Sequence, residues 1–204
     1  MFFSDFNNPP WEHAVTLSFD SKEPCLLKRD GPCSTRSGVR ELNRKGNNIV
    51  YFMFSDDKLM KVGGSSTGIG KLLASYILNL EGRADPMFTR FPIYLDMLRE
   101  TYSGKKIHIY FLAVEPYEII RPCLISGKMS SITVDDFHPL ELSYVRQVEE
   151  LDGKVPEWNI AEASGKSFNS FYKQLWKNRK DGLKEHKESN FNYQMFLDDI
   201  SKIK

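Results

Sequence analysis

Residues 64–71 read Gly-Ser-Ser-Thr-Gly-Ile-Gly-Lys, a run of closely spaced glycines before a lysine that could hold a phosphate group. Glycines at the start of a helix allow backbone N–H groups to approach a phosphate closely. A nucleoside-triphosphate loop, however, needs a glycine where this chain has Ser65, and a magnesium-binding hydroxyl where it has Leu72. We therefore do not expect this segment to bind a nucleoside triphosphate.

The same glycines, Gly64, Gly68 and Gly70, have the spacing of a dinucleotide-binding turn. Tyr102 and Lys106 repeat the Tyr-x-x-x-Lys pair of short-chain dehydrogenases, but they follow the glycines too soon and stand just before a strand. The strand before the glycines is charged where a buried parallel strand would be apolar. An NAD(P)-binding protein similar to the short-chain dehydrogenases is therefore the weaker alternative, and a tight strand-to-helix turn is the simpler explanation.

The segments around these glycines have the patterns of a hairpin, several helices and a third strand. β-branched and aromatic runs predict the strands, and apolar residues at helical spacing predict the helices. In chain order the predicted elements are strands 48–54 and 59–63, helices 69–80 and 93–100, strand 106–114 and helix 139–151. The sequence thus predicts an α+β fold with a small three-stranded, mostly antiparallel sheet flanked by helices.

Four residues of these elements occur in an order that resembles the GIY-YIG nuclease superfamily. At the first motif the chain reads Ile-Val-Tyr, ending at Tyr51; ten residues on it reads Lys-Val-Gly, with Lys61 in place of a tyrosine and the glycine kept as Gly63. Glu141 stands early in a helix after the third strand, and Asn159 closes a Pro-x-x-Asn element. The resemblance covers residues 48–160, about half the chain. Within the superfamily it is greatest to the type II restriction endonucleases.

This resemblance implies metal-dependent hydrolysis of DNA phosphodiester bonds. Glu141 would hold one Mg²⁺, or another divalent cation such as Mn²⁺, because hard cations prefer oxygen ligands. Tyr51 would deprotonate the attacking water, which requires nearby cations because a free tyrosine has a pKa of about 10. Lys61 would supply such a charge or orient the water, and Asn159 would position the Glu141 helix or a phosphate oxygen.

The chain departs from the family at the arginine that usually follows the second motif, because Lys71 stands there. A lysine keeps the positive charge but lacks the bidentate grip of a guanidinium group on phosphate. Either Lys71 acts as a point charge, or Arg83 or Arg90 reaches the phosphate from the next segment. The sequence leaves this choice open.

Basic residues outside this set are expected to contact double-stranded DNA. The net charge is only +1, so nucleic-acid binding has to depend on local clusters. A helix predicted after residue 165 combines lysines with an aromatic stripe that would dock it on the body, and residues 29–45 form a second basic cluster. The predicted DNA-contacting residues are Lys166, Lys173, Lys177, Arg179, Lys180, Arg36 and Arg40.

We expect three regions: a basic N-terminal arm over residues 1–46, a nuclease core over 47–160 and a helical basic and aromatic extension over 161–204. Cutting both strands of a duplex usually takes two sites, which predicts a homodimer. The segments beyond a minimal core suggest a sequence-specific restriction enzyme. A nucleic-acid-binding module without catalysis is the main alternative.

Cysteine usage and hydropathy indicate the compartment. The three cysteines, Cys25, Cys33 and Cys123, are odd in number and widely spaced, which predicts unpaired thiols in the cytoplasm. No apolar run approaches the roughly 18 residues of a membrane span, and the N-terminal residues lack a signal-peptide pattern. We therefore expect no membrane contact.

Overall fold

A computed structural model of the protein describes residues 1–7, 9–20, 27–76, 91–122 and 128–159. Their strands and helices are, in chain order, β1 (Glu12–Phe19), β2 (Leu27–Asp30), α1 (Arg36–Asn43), β3 (Ile49–Ser55), β4 (Lys58–Ser65), α2 (Gly68–Tyr76), α3 (Phe91–Tyr102), β5 (Ile107–Ala113), β6 (Tyr117–Pro122), β7 (Met129–Val134) and α4 (His138–Asp152). Within these ranges, no helix combines the length and the apolar character that crossing a membrane requires.

Five strands form one antiparallel sheet in the order β2-β1-β5-β3-β4, and β6 and β7 pair separately as a hairpin. β3 is β-branched and aromatic and is buried along its whole length, as expected of a strand covered on both faces. Asp56 and Asp57 turn the chain from β3 into β4, and Asp56 has a positive φ of 50°, which aspartate tolerates. β4 is the last strand in the order given above, so it lies at one edge of the sheet.

The structure confirms the predicted α+β fold with an antiparallel sheet flanked by helices. The sheet is larger than the three strands predicted, because β1 and β2 extend it beyond β5. β1 has a short alternation of apolar and polar residues, Val15-Thr16-Leu17-Ser18-Phe19, that the prediction does not include, whereas β2 has a weak signal. β1 follows a segment rich in asparagine and proline, and β2 has four residues, of which Lys28, Arg29 and Asp30 are charged.

The sheet separates two apolar layers. On the first face, which we call the α2 face, α1, α2 and α3 pack over β3 residues such as Tyr51 and Met53. On the second, the α4 face, α4 and the residues before β1 cover Phe52 and Phe54. Because successive strand residues point to opposite faces, the two sides of β3 contribute to different layers.

Two of the conspicuous glycines allow α1 and α2 to pack closely. Gly68 has a φ of +76°, and its N–H donates to the Asn47 carbonyl at 2.8 Å. A Cβ on Gly70 would lie 2.5 Å from Cγ1 of Val39, and the Gly70 N–H donates to Oδ1 of Asn43 at 3.1 Å. These glycines therefore serve a strand-to-helix turn and a helix contact.

The NAD(P)-binding alternative is wrong for a topological reason. A dinucleotide site needs a parallel strand-helix-strand unit, with the glycine turn after a buried strand. Here Gly64 lies within β4 and Gly68 and Gly70 follow it, and β4 is an edge strand that pairs antiparallel with β3. The pyrophosphate-binding crevice of that fold has no counterpart at this position.

Candidate active site

Tyr51 extends from β3 across the neighbouring edge strand. It pairs with Gly63, and a Cβ on Gly63 would lie 2.4 Å from both Cζ and Oη of Tyr51. The end of the phenol ring thus occupies the space that a side chain on Gly63 would fill. Its hydroxyl lies 2.8 Å from the hydroxyl of Tyr76 on α2, and each residue is 2% exposed. The Tyr51 phenol is therefore held on the α2 face, directly over β4.

Glu141 approaches the same strand from the opposite face. α4 starts with a histidine and a proline, and it carries Glu141 in its first turn, where a carboxylate suits the positive end of the helix. A Cβ on Gly64 would lie 2.6 Å from Oε2 of Glu141 and 1.9 Å from Cδ2 of Phe137. Nδ1 of His138 lies 3.5 Å from the same oxygen, and the Glu141 side chain is 18% exposed. The carboxylate is thus near solvent, over Gly64.

Tyr51 and Glu141 therefore lie beside adjacent glycines of the edge strand, on opposite faces of the sheet. Consecutive Cα atoms are about 3.8 Å apart, so Oη of Tyr51 and Oε2 of Glu141 lie within about 12 Å of each other. The two groups stand on opposite faces of β4, with the strand itself between them. Because β4 is an edge strand, a ligand at that edge can reach both faces.

Lys61 lies on β4 two residues before Gly63, and hence on the α2 face with Tyr51. Its side chain is buried, with 9% of the residue exposed, and its Nζ donates to the Trp158 carbonyl at 3.3 Å. A buried ammonium group needs such a partner because desolvation otherwise disfavours the charge. Lys61 thus places a positive charge on the Tyr51 side of the edge strand.

Asn159 closes the outer edge of β4 next to these residues. It is fully buried; its Oδ1 accepts from the Val62 N–H at 3.0 Å and its Nδ2 donates to the Val62 carbonyl at 2.8 Å. The Trp158 N–H donates to the Met60 carbonyl at 2.8 Å. Both amide atoms of Asn159 therefore bond to the strand that carries the two glycines.

α3 supports this closing loop through Asp96, whose carboxyl group is hydrogen-bonded to the Trp158 side chain. Burial raises the pKa of Asp96 to about 6, although the nearby Arg99 opposes the shift. Nη2 of Arg99 lies 3.4 Å from Oδ1 of Asp96. Asp96 thus helps to fix Trp158, whose carbonyl receives the Lys61 ammonium group.

The other predicted phosphate contacts lie apart from this cluster or outside the described residues. Lys71 is on the exposed side of α2, away from the buried stripe that includes Tyr76. Arg36 and Arg40 are exposed on α1. The predicted residues outside the described ranges are Arg83, Arg90, Lys166, Lys173, Lys177, Arg179 and Lys180.

The sequence patterns do not single out two residues that complete this arrangement. Helical periodicity assigns Tyr76 to the apolar stripe of α2, and its hydroxyl is the feature that distinguishes it from the leucines there. Gly64 belongs by spacing to a glycine-rich turn. Its role as the space beside the Glu141 carboxylate follows from the position of α4, which no local pattern encodes.

Comparison with protein-family models and with curated protein sequences gives no match for this chain. Among solved structures, the chain is similar to a mutant of bacteriophage T4 EndoII, with a TM-score of 0.48 and 12% identity over 73% of this chain and 91% of that one. It is also similar to the restriction endonuclease HPY188I in complex with product DNA, with a TM-score of 0.39 and 17% identity over 72% of this chain and 78% of that one.

Proposed function

We propose that this protein is a metal-dependent DNA endonuclease whose site resembles that of the GIY-YIG superfamily. The observation that supports the proposal is the position of Tyr51 and Glu141 over the adjacent glycines Gly63 and Gly64 of an edge strand. Lys61 belongs to the same strand, β4, and Asn159 bonds to it. All four residues that the motif order selects therefore belong to β4 or lie next to it, although they are spread over residues 51–159 of the sequence.

The part of the β4 edge around Gly64, which no described residue pairs with, would offer a place for a phosphate group. The N–H and carbonyl of Val62 point outward to Asn159, and antiparallel geometry turns those of Gly64 outward too. Gly64 has no side chain that would keep a phosphodiester away. A phosphate oxygen here would accept a hydrogen bond from the Gly64 N–H, with the phenol on one side and the carboxylate on the other.

The carboxylate of Glu141 fits a divalent cation that binds mainly through water and substrate oxygens. Mg²⁺ keeps several waters and is commonly bound by one or two protein carboxylates together with phosphate oxygens. Glu141 is partly exposed and lies beside the space left by the missing Cβ of Gly64. When bound, Mg²⁺ or Mn²⁺ would offset negative charge on the phosphate and on the leaving oxygen.

Side chains of the protein would accept the proton of the attacking water and stabilise the negative charge on the phosphate. The ionised Tyr51 takes a proton from a water molecule, whose oxygen forms a bond to phosphorus while the bond to the leaving ribose oxygen breaks and that oxygen takes a proton from solvent. Lys61 favours the ionised phenol because it supplies a positive charge on the same face. Lys71, or Arg83 or Arg90, would stabilise the charge on phosphorus oxygens in the transition state.

The proposed substrate is double-stranded DNA, and the proposed subtype is a sequence-specific type II restriction enzyme that acts in the cytoplasm. Cleavage of both strands by one site per chain calls for a homodimer with two-fold symmetry. The exposed Arg36 and Arg40 on α1 provide a basic surface for the DNA backbone. The basic and aromatic segment after residue 160 is proposed as a second contact.

Incubation with plasmid DNA and Mg²⁺, with and without EDTA, tests the proposal. We expect nicking or linearisation that EDTA abolishes, and a loss of at least about 100-fold in Glu141→Gln, because the site loses a charged ligand. The matched control is Glu149→Gln, which changes an exposed glutamate two turns along the same helix. DNA binding without cleavage in the unaltered protein would favour the non-catalytic binding module instead.

Substitution of Lys61 and Lys71 by methionine tests the two departures from the family pattern. We expect Lys61→Met to lose cleavage and still to retard DNA in a gel-shift assay, because Lys61 is assigned to the reaction rather than to affinity. Lys71→Met should behave in the same way if Lys71, rather than Arg83 or Arg90, stabilises the charge on the phosphate. Lys106→Met, at an exposed lysine before β5, is the control. Retained cleavage in the Lys61/Lys71 double variant would refute this assignment of the site.

A further inference from the structure

We infer that Tyr76 is a positioning residue that stabilises the ionised form of Tyr51. The inference rests on the proposed function, in which Tyr51 removes a proton from water, and it extends that function to a residue beyond the four that the motif order selects. The supporting contact is the 2.8 Å distance between the two hydroxyl oxygens, both of them inside the protein.

The packing of α2 fixes this contact. Tyr76 is the last described residue of α2, and the buried stripe before it, which includes Ile69, Leu72 and Leu73, anchors the helix on the sheet. The two phenol rings meet edge to face, with centroids 6.2 Å apart and planes inclined by 66°. On the other side of the Tyr51 ring lies Gly63, so the phenol is confined between β4 and α2.

Hydrogen-bond chemistry determines the direction of the contact when Tyr51 is ionised. Either hydroxyl can donate while both are neutral, but a phenolate oxygen can only accept. Tyr76 must then donate its O–H to the Tyr51 oxygen. A hydrogen bond to a charged acceptor is worth more than one between neutral groups, and more still where water is excluded. The pair therefore favours the base form of Tyr51.

Tyr76 and Lys61 would support the same phenolate in different ways. Lys61 replaces the tyrosine of the family's second motif and supplies positive charge from the strand. Tyr76 supplies an oriented donor from the helix, so a second phenol reaches the first from another element of the fold. Tyr76 contacts Tyr51 and is itself buried, so its removal should alter ionisation and turnover rather than DNA affinity.

A phenolate titration tests the inference on the protein alone, without DNA or metal. Ultraviolet difference absorbance between the unaltered protein and Tyr51→Phe isolates the ionisation of Tyr51 with its partner present. The difference between Tyr76→Phe and the Tyr51→Phe/Tyr76→Phe double variant isolates it with the partner removed. We expect the second midpoint to lie about one pH unit above the first, from the difference between charged and neutral hydrogen bonds. Equal midpoints would overturn the inference.

The pH dependence of cleavage is the second readout. In Tyr76→Phe we expect the alkaline rise of kcat to move to higher pH by a similar amount, with KM for DNA unchanged. Tyr94→Phe, which removes a hydroxyl from another fully buried tyrosine of the same layer, should leave the profile in place. An unshifted profile in Tyr76→Phe would count against the inference.

The outcomes separate this inference from the proposed function. Full cleavage by Tyr51→Phe would refute the proposed role of Tyr51, whereas the titration would still report whether Tyr76 favours its ionisation. If Tyr76→Phe destabilises the fold, urea unfolding of the two single variants and the double variant shows whether the two hydroxyl groups bond to each other. The double variant should be no less stable than the worse single variant if the hydroxyls bond chiefly to each other. Additive losses would contradict the contact.

Discussion

The side-chain amide of Asn159 bonds to both backbone groups of Val62, accepting from its N–H at 3.0 Å and donating to its carbonyl at 2.8 Å. A peptide group of a neighbouring strand would make the same two contacts. Because no strand among the described residues pairs with β4 on this side, Asn159 takes that place immediately before Gly63 and Gly64. The geometry of the candidate site therefore depends on a residue more than ninety positions along the chain.

Asn159→Asp should destabilise the protein by about 2 kcal/mol, because the second carboxylate oxygen cannot donate to the Val62 carbonyl and would be buried against it. Urea unfolding followed by tryptophan fluorescence measures the change. Asn47→Asp, at an exposed asparagine, is the control with the same change of charge. A variant as stable as the unaltered protein would show that these two hydrogen bonds do not hold the edge.

Gly63→Ala should displace the Tyr51 phenol, because the new Cβ would lie 2.4 Å from its hydroxyl. We expect a loss of stability of about 1–3 kcal/mol, as for other overpacked positions, and a loss of plasmid cleavage. Gly153→Asn is the control, since Gly153 has a φ of +71° that asparagine tolerates and open space around it. Undiminished cleavage by Gly63→Ala would argue against Tyr51 as the base.

Asp96 should make stability depend on pH. Because burial raises its pKa from 3.8 to about 6, the folded protein holds a proton between these values that the unfolded chain releases. The free energy of unfolding should therefore fall as the pH rises from roughly 4 to 6, by about 2–3 kcal/mol in total. Asp96→Asn should remove this dependence and keep an acceptor for Trp158.

Urea unfolding at intervals from pH 4 to pH 7 measures the effect as the difference between the unaltered protein and Asp96→Asn. We expect the variant to gain stability relative to the unaltered protein as the pH rises through this window. Asp57→Asn, at an exposed turn position, provides the comparison. A difference that stays constant with pH would contradict the assigned ionisation.

Cys33 should be inert toward thiol reagents while the protein is folded. The residue is buried, and burial raises the pKa of its thiol to about 11, against the opposing effect of Arg29. Reagents attack the thiolate, which is then scarce at pH 8. In a Cys25→Ser/Cys123→Ser background, labelling by a maleimide should require urea. Rapid labelling without denaturant would show that the structure around Cys33 opens readily.

The sequence specifies the centre of the fold well because local and tertiary preferences agree there. β3 is apolar on both faces and a turn follows it, and β5 is also rich in β-branched and aromatic residues, so the sequence predicts the hairpin and the third strand. β2 is different, because it is short and mostly charged, and its pairing with β1, which in turn pairs with β5, comes from tertiary contact rather than from strand propensity. Apolar periodicity cannot detect a four-residue strand such as β2, whereas the alternation over residues 15–19 of β1 is detectable, although the predicted elements do not include it.

The candidate site was only partly readable for a related reason. Motif order selects Tyr51, Lys61, Glu141 and Asn159, yet it carries no information about the face of the sheet on which each side chain lies. Whether Tyr51 and Glu141 meet across β4 depends on how α2 and α4 pack, and that packing is set by many distant apolar contacts. The hydroxyl pair with Tyr76 arises from the same packing.

The outer side of β4 also restricts how two copies of the chain could assemble. Its first half is occupied by residues 1–3, through the Leu59 N–H to the Met1 carbonyl and a bridge between Phe2 and Lys58, and Asn159 occupies Val62. Open strand edges pair readily with a second chain, but this one is already satisfied over that length. In the proposed homodimer, the subunits would therefore not pair through residues 58–62 of β4. Gly63 and Gly64 of each subunit could then face the same DNA duplex.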